Sequence, residues 1–305
     1  MKIRLNPIVK KDMQVSARSM RLSWGLFGYE AVLAVAFLLA LSLIQADSDS
    51  IYSDGNIYKS LIALFPVLAI AQVCIVALIM PILTAGSISG EKERQTYELM
   101  MTTCMSPFSI VLGKMVSSVI RILFYVVAGL PVIALAFVAG GLAWINLLYF
   151  VLAIVLLSVF LGSIGVFCSA FHRRSISAVV MSFVICGGLN VLTFVPLIIR
   201  AFLGTDTVGE SMLALLFNPF LFFEEFFMLI MTGTSLLGDS GFKFDTDDVG
   251  ILTYYLTYGH VWVYASAVCI LALSFVFLLL AAWKVNPMHS SSGGRVKQRK
   301  RRVSD

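Results

Sequence analysis

"GSISGEKERQTYELMMTTCMSPFSIVLGK", residues 86–114, interrupts a chain that is otherwise overwhelmingly apolar. Five charges (Glu91, Lys92, Glu93, Arg94, Glu98) fall within eight residues, and a Met- and Thr-rich run follows. Ser89 is placed to cap a helix whose first turn carries Glu91 and Glu93, the sign that the helix dipole favours there. Arg94 lies three residues after Glu91 and four before Glu98, so side-chain pairs can brace the polar face. Tyr97, Met100, Met101, Cys104 and Met105 recur at helical spacing and form an apolar face. Ser106-Pro107 then opens a second helix, on which Lys114 and Arg121 can reach lipid headgroups. The pattern predicts a short helix over 89–105, a sharp turn, and a second helix rising into a membrane span.

The rest of the chain supplies the membrane context. Of 305 residues, 59% are hydrophobic and 13% charged, against about 25% charged in soluble domains. Apolar blocks of about 20 residues, enough to cross about 30 Å of hydrocarbon, predict six spans. They run at 22–44, 60–83, 121–138, 145–167, 176–199 and 261–283. The first is too long for a signal-peptide core and carries Glu30 near its start, so it reads as a retained span. Nineteen of the 22 Lys and Arg residues fall on the side of the N-terminus, which predicts both termini in the cytoplasm. Basic residues at helix flanks explain the net charge of +5 without nucleic acid. The five cysteines avoid the outer segments and match no zinc spacing, so neither disulfides nor a metal site is expected.

Ahead of the first span, residues 1–21 predict a basic amphipathic helix on the inner leaflet. Asn6 caps it, Pro7 starts it, and Val9, Met13, Ala17, Met20 and Trp24 form its apolar stripe. Lys11, Arg18 and Arg21 lie on the polar side. Residues 200–257 form the large outer segment. Within it, "LALLFNPFLFFEEFFMLIM" is apolar, but a seventh span would reverse the charge asymmetry and put Glu224 and Glu225 in hydrocarbon. A re-entrant or interfacial helix broken near Asn218-Pro219 fits better, with the two glutamates facing water or an exit path. Gly187 and Gly188 suggest close helix packing. The basic tail, residues 284–305, reads as disordered and cytoplasmic.

The opening stretch resembles the signature of the ABC-2 family of ABC-transporter membrane subunits. A small-residue run, Gly86 to Gly90, leads into Glu91, Glu93, Arg94, Thr96, Glu98 and Leu99. Thr103, Ser106-Pro107, Ile110, Val111 and Gly113-Lys114 follow in the family's order. Asn6, Pro7, Lys11 and Arg18 resemble the family's connecting helix. Gln95 stands where Gly is usual, and Tyr97 where Leu is usual. The resemblance implies an all-α, six-span permease in a bacterial plasma membrane. Residues 89–105 would be a coupling helix seated on a separate ATP-binding subunit, docking through Glu91, Glu93, Arg94, Thr96, Glu98 and Met101. It further implies two such ATPase copies holding ATP-Mg, a second identical or different permease subunit, and export as the direction of transport.

The chain itself carries no ATPase motif. Around Gly113-Lys114, Phe108 and Met115 replace the Gly and Ser/Thr of a phosphate-binding loop. No hydrolase motif is present either, so an enzyme is not expected. The rival reading, an ion-coupled secondary transporter or channel, needs charge deep in its spans. Glu30 is the candidate, with Arg121 as its partner.

Overall fold

The computed structural model describes residues 7–46, 64–97, 106–139, 144–202, 211–233 and 261–286. They form nine helices: α1 Pro7–Ala17, α2 Met20–Ala46, α3 Leu64–Glu93, α4 Pro107–Ala139, α5 Trp144–Phe171, α6 Ser175–Phe202, α7 Ser211–Leu215, α8 Pro219–Thr232 and α9 Val261–Val285. Among the described residues there is no strand. α2, α3, α4, α5, α6 and α9 are long and apolar enough to cross a membrane, which makes the chain a multi-pass helical membrane protein.

α5 is the central pillar. Its most apolar window is 67% buried, against 17% for α2 and for α6, which present most of their surface outward. Its sequence explains the position. Ser158, Gly162, Gly165 and Ser169 are small, recur at helical spacing, and let α3 approach closely. A Cβ on Gly165 would stand 2.9 Å from the Thr84 Cβ and 3.3 Å from the Ala85 backbone nitrogen. Gly187 and Gly188 of α6, expected to serve close packing, serve none among the described residues: a Cβ on either would meet nothing there within 4 Å.

α8 spans about 21 Å at 1.5 Å per residue, too short to cross. It begins where the sequence predicts a break. Asn218 is fully buried and caps α8 by accepting from Phe220 N (2.9 Å) and Leu221 N (3.3 Å), with Pro219 in the first turn. Its amide also donates to Thr193 Oγ1 of α6 at 2.8 Å, which fixes the break against a span. Phe222, Phe223 and Phe226 are buried, and Phe227 packs at 6.2 Å from the rings of both Phe65 in α3 and Phe150 in α5. Glu225 is only 1% exposed and does not face water, whereas Glu224 is half-buried. Most of residues 200–257 and 284–305, like Asn6, lies outside the described residues.

The N-terminal helix also departs from the expected single stripe. A turn at Arg18-Ser19 separates α1 from α2. Val9 is buried and Met13 half-buried, whereas Met20 and Trp24, beyond the break, are exposed. The break resets the register, so Val9 and Met13 do not share a face with Met20 and Trp24.

Candidate functional site

α3 does not start afresh at Ser89. One helix runs from Leu64 to Glu93, and Ser89 lies buried within it, its hydroxyl donating to Ala85 O at 2.6 Å. The boundary reading fails because Ser in a helix interior can satisfy itself on the i−4 carbonyl instead of capping. Ser169 of α5 explains why the helix holds here: its Oγ accepts from Ile88 N (2.9 Å) and Ser89 N (2.8 Å).

The helix ends four residues later in a Schellman turn. Thr96 N donates to Glu91 O (3.0 Å) and Gln95 N to Lys92 O (3.3 Å), with Gln95 at φ 59°. That left-handed position is where glycine is cheapest. The remainder of the expected coupling helix, including Glu98 and Met101, lies outside the described residues.

The three residues of the final turn each clasp a different neighbour. Glu91 Oε1 pairs with Lys114 Nζ of α4 at 2.7 Å. Lys92 donates to the carbonyls that end α5, Ser169 O and His172 O at 3.4 Å and Ala170 O more closely, where a cation also suits the helix dipole. Glu93 accepts from the Ser175 amide (2.9 Å) and hydroxyl (2.8 Å) at the start of α6. The α5–α6 turn is thus held at its outgoing carbonyls by a cation and at its incoming amide by an anion. Tyr97, just past the turn, donates to Val285 O at the end of α9 (3.4 Å). Burial, and then the Glu91 charge, push its pKa upward, which keeps that donor protonated.

Glu91, expected to face a partner, is therefore turned into the bundle, and Glu93, though exposed, is already bonded. Arg94 and Thr96 are exposed, and the Thr96 hydroxyl bonds back to Glu91 O at 3.3 Å. Lys114, expected among headgroups, is buried. Its ammonium is shared between Glu91 and Asp12 Oδ2 of α1, the latter at 3.3 Å, and Ser117 Oγ lies 3.3 Å from the same Asp12 oxygen. Sequence reasoning passed over Asp12, Lys92, Ser117, Ser169 and Ser175. The one visible signal was Asp12, the single acidic residue among the first 21.

Lys11 and Arg18 are exposed, and the Arg21 side chain lies outside the described residues. The expected Glu30–Arg121 pair does not form: no ion pair joins them, and Glu30 Oε1 and Arg121 Nε are each buried without a hydrogen-bond partner among the described residues. α2 turns Tyr29, not Glu30, toward α4. A Cβ on Gly129 would lie 3.0 Å from the Tyr29 ring, and the next residue is about 100° further round the helix.

The site is thus a polar knot at one end of an apolar bundle, with one helix terminus tied to four others. No curated protein matches the chain. A family model described as "ABC-2 family transporter protein" matches residues 7–285, nearly the whole of the described structure. The chain belongs to the ABC-2 family of transporter proteins.

Proposed function

We propose that this chain is the permease subunit of an ATP-driven exporter, with the polar knot in the cytoplasm and a separate ATP-binding subunit seated on residues 94–105. Two ATP-binding subunits, holding ATP-Mg between them, work on a pair of permease subunits. The observation that carries the reading is the clasp at Glu91-Lys92-Glu93. A push on the segment that follows α3 cannot remain local, because the last turn of α3 grips the ends of α4, α5 and α6. Such a rigid junction converts a displacement at its edge into a tilt of packed helices. Arg94, Gln95 and Thr96, exposed beside the Schellman turn, form the described surface on which the partner would sit.

The test is affinity capture of the tagged, detergent-solubilised full chain from its native host, with ATP hydrolysis assayed in the eluate. Wild type brings down an ATP-binding subunit, and Arg94→Glu combined with Glu98→Lys loses most of it while the permease still folds. A wild-type chain that carries no ATP-binding protein overturns the reading. Ion-coupled transport centred on Glu30, whose Oε1 is buried without a partner among the described residues, then takes its place.

A further inference from the structure

We infer that Lys114 is a shared counter-charge through which α1 and the end of α3 compete, so that loosening either helix tightens the hold on the other. This deepens the proposal above and rests on its reading of the α3 end as the point where force enters.

The cluster contains two carboxylates and one ammonium, with side chains only 25% (Glu91), 19% (Asp12) and 11% (Lys114) exposed. It therefore carries a net charge of −1 in a region poorly screened by water. Lys114 has three N–H donors, so it can reach both acids at once, but the acids repel each other and each gains from its full charge. The distances show the present balance: 2.7 Å to Glu91 against 3.3 Å to Asp12. Neither acid is richly served elsewhere. Glu91 Oε2 is buried without a partner among the described residues. Asp12 has the Ser117 hydroxyl at 3.3 Å, but that hydroxyl lies closer to Lys114 O, at 2.9 Å, and has one hydrogen for the two.

The backbone under Lys114 is pinned. Ser117 and Ser118 both direct hydroxyls onto its carbonyl, at 2.9 and 3.1 Å. The long side chain can therefore shift between acids while α4 stays still. Moving the α3 end away from α4 would free the ammonium for Asp12, and α1 would be drawn onto α4 as α3 leaves. A passive ion network behaves differently, since removing any member weakens all the others.

Hydrogen–deuterium exchange of the full chain, read by mass spectrometry, separates the two. Asp12→Asn should speed exchange of the α1 amides about fivefold and slow that of the protected amides at 94–96. Glu91→Gln should do the reverse, and Lys114→Gln should speed both, effects of the size expected for partly buried ion pairs. Gln14→Ala, an exposed change on α1, serves as the control. Faster exchange at both places in Asp12→Asn and in Glu91→Gln, or no change at α1 in Asp12→Asn, overturns the inference. If Glu91→Gln fails to fold, the sign of the change at 94–96 in Asp12→Asn decides alone. The exchange pattern needs no partner. A chain that shows it but captures no ATP-binding subunit sinks the proposed function and leaves the shared charge standing.

Discussion

Thr84 occupies the space in which Gly165 has no side chain, and this contact sets how closely α3 and α5 lie. A methyl on Gly165 would meet not only the Thr84 side chain but the Ala85 backbone, which cannot rotate away. Gly165→Ala should destabilise the protein by about 1–3 kcal/mol through overpacking. Gly187→Ala and Gly188→Ala, which meet open space, should be neutral or stabilising by about 0.5–1 kcal/mol through reduced chain entropy. Unfolding of the three variants in mixed micelles checks the contrast. Equal effects at 165 and 187 would contradict the packing described.

Gln95 sits at φ 59°, where a side chain is strained. Gln95→Gly should stabilise the α3 terminus by about 1 kcal/mol, the cost of a left-handed residue with a Cβ. The measurement is amide exchange at Gln95 and Thr96, which should slow. Gln95→Val, β-branched at the same φ, should speed it.

Glu93 exerts its effect on Ser175, across the α5–α6 turn. Glu93→Ala should leave that turn looser, and Glu93→Lys looser still, because a cation at the start of α6 opposes the helix dipole. Arg173 and Arg174 are exposed in the turn, so limited trypsin digestion reads the change directly. Cleavage there should be several-fold faster in Glu93→Lys than in wild type. An unchanged rate would show that the bond does not restrain the turn.

Asn218 both caps α8 and donates to Thr193. Asn218→Ala should cost about 2 kcal/mol, from the lost cap and a buried hydrogen bond. Asn218→Asp retains the acceptor but replaces the donor with a charge in a fully buried position, so it should not restore stability. Thermal unfolding of the two variants beside wild type is the check.

The spans were legible because they depend on a sum: about 20 apolar residues in a row have one physical solution in a bilayer. The Asn218-Pro219 break was legible too, because a capping side chain followed by proline is a local signal. The clasp was not. Lys92 and Glu93 find their partners about 80 positions away, and only the register of packed helices decides which residues meet. The same limit explains the glycines. Gly165 and Gly187 look alike in sequence, yet one faces α3 and the other meets nothing. Glu30 and Arg121 looked like natural partners by charge, but Tyr29 takes the face toward α4.

The clasp has a consequence for biogenesis. The ribosome finishes α3 long before it makes the α5–α6 turn that Lys92 and Glu93 hold. Lys114 follows within about two dozen residues, but Ser169 and Ser175 come 77 and 82 positions after Lys92 and Glu93. At about 5–20 residues per second, that interval is roughly 4–16 s. During it, α4 and then α5 are added to α2 and α3 while the anchor for the last turn of α3 is still incomplete. The arrangement of the nascent chain becomes fixed only when the α5–α6 turn emerges. A pause or truncation before residue 175 would therefore release a chain with its early spans threaded but unlocked, a natural substrate for membrane quality control.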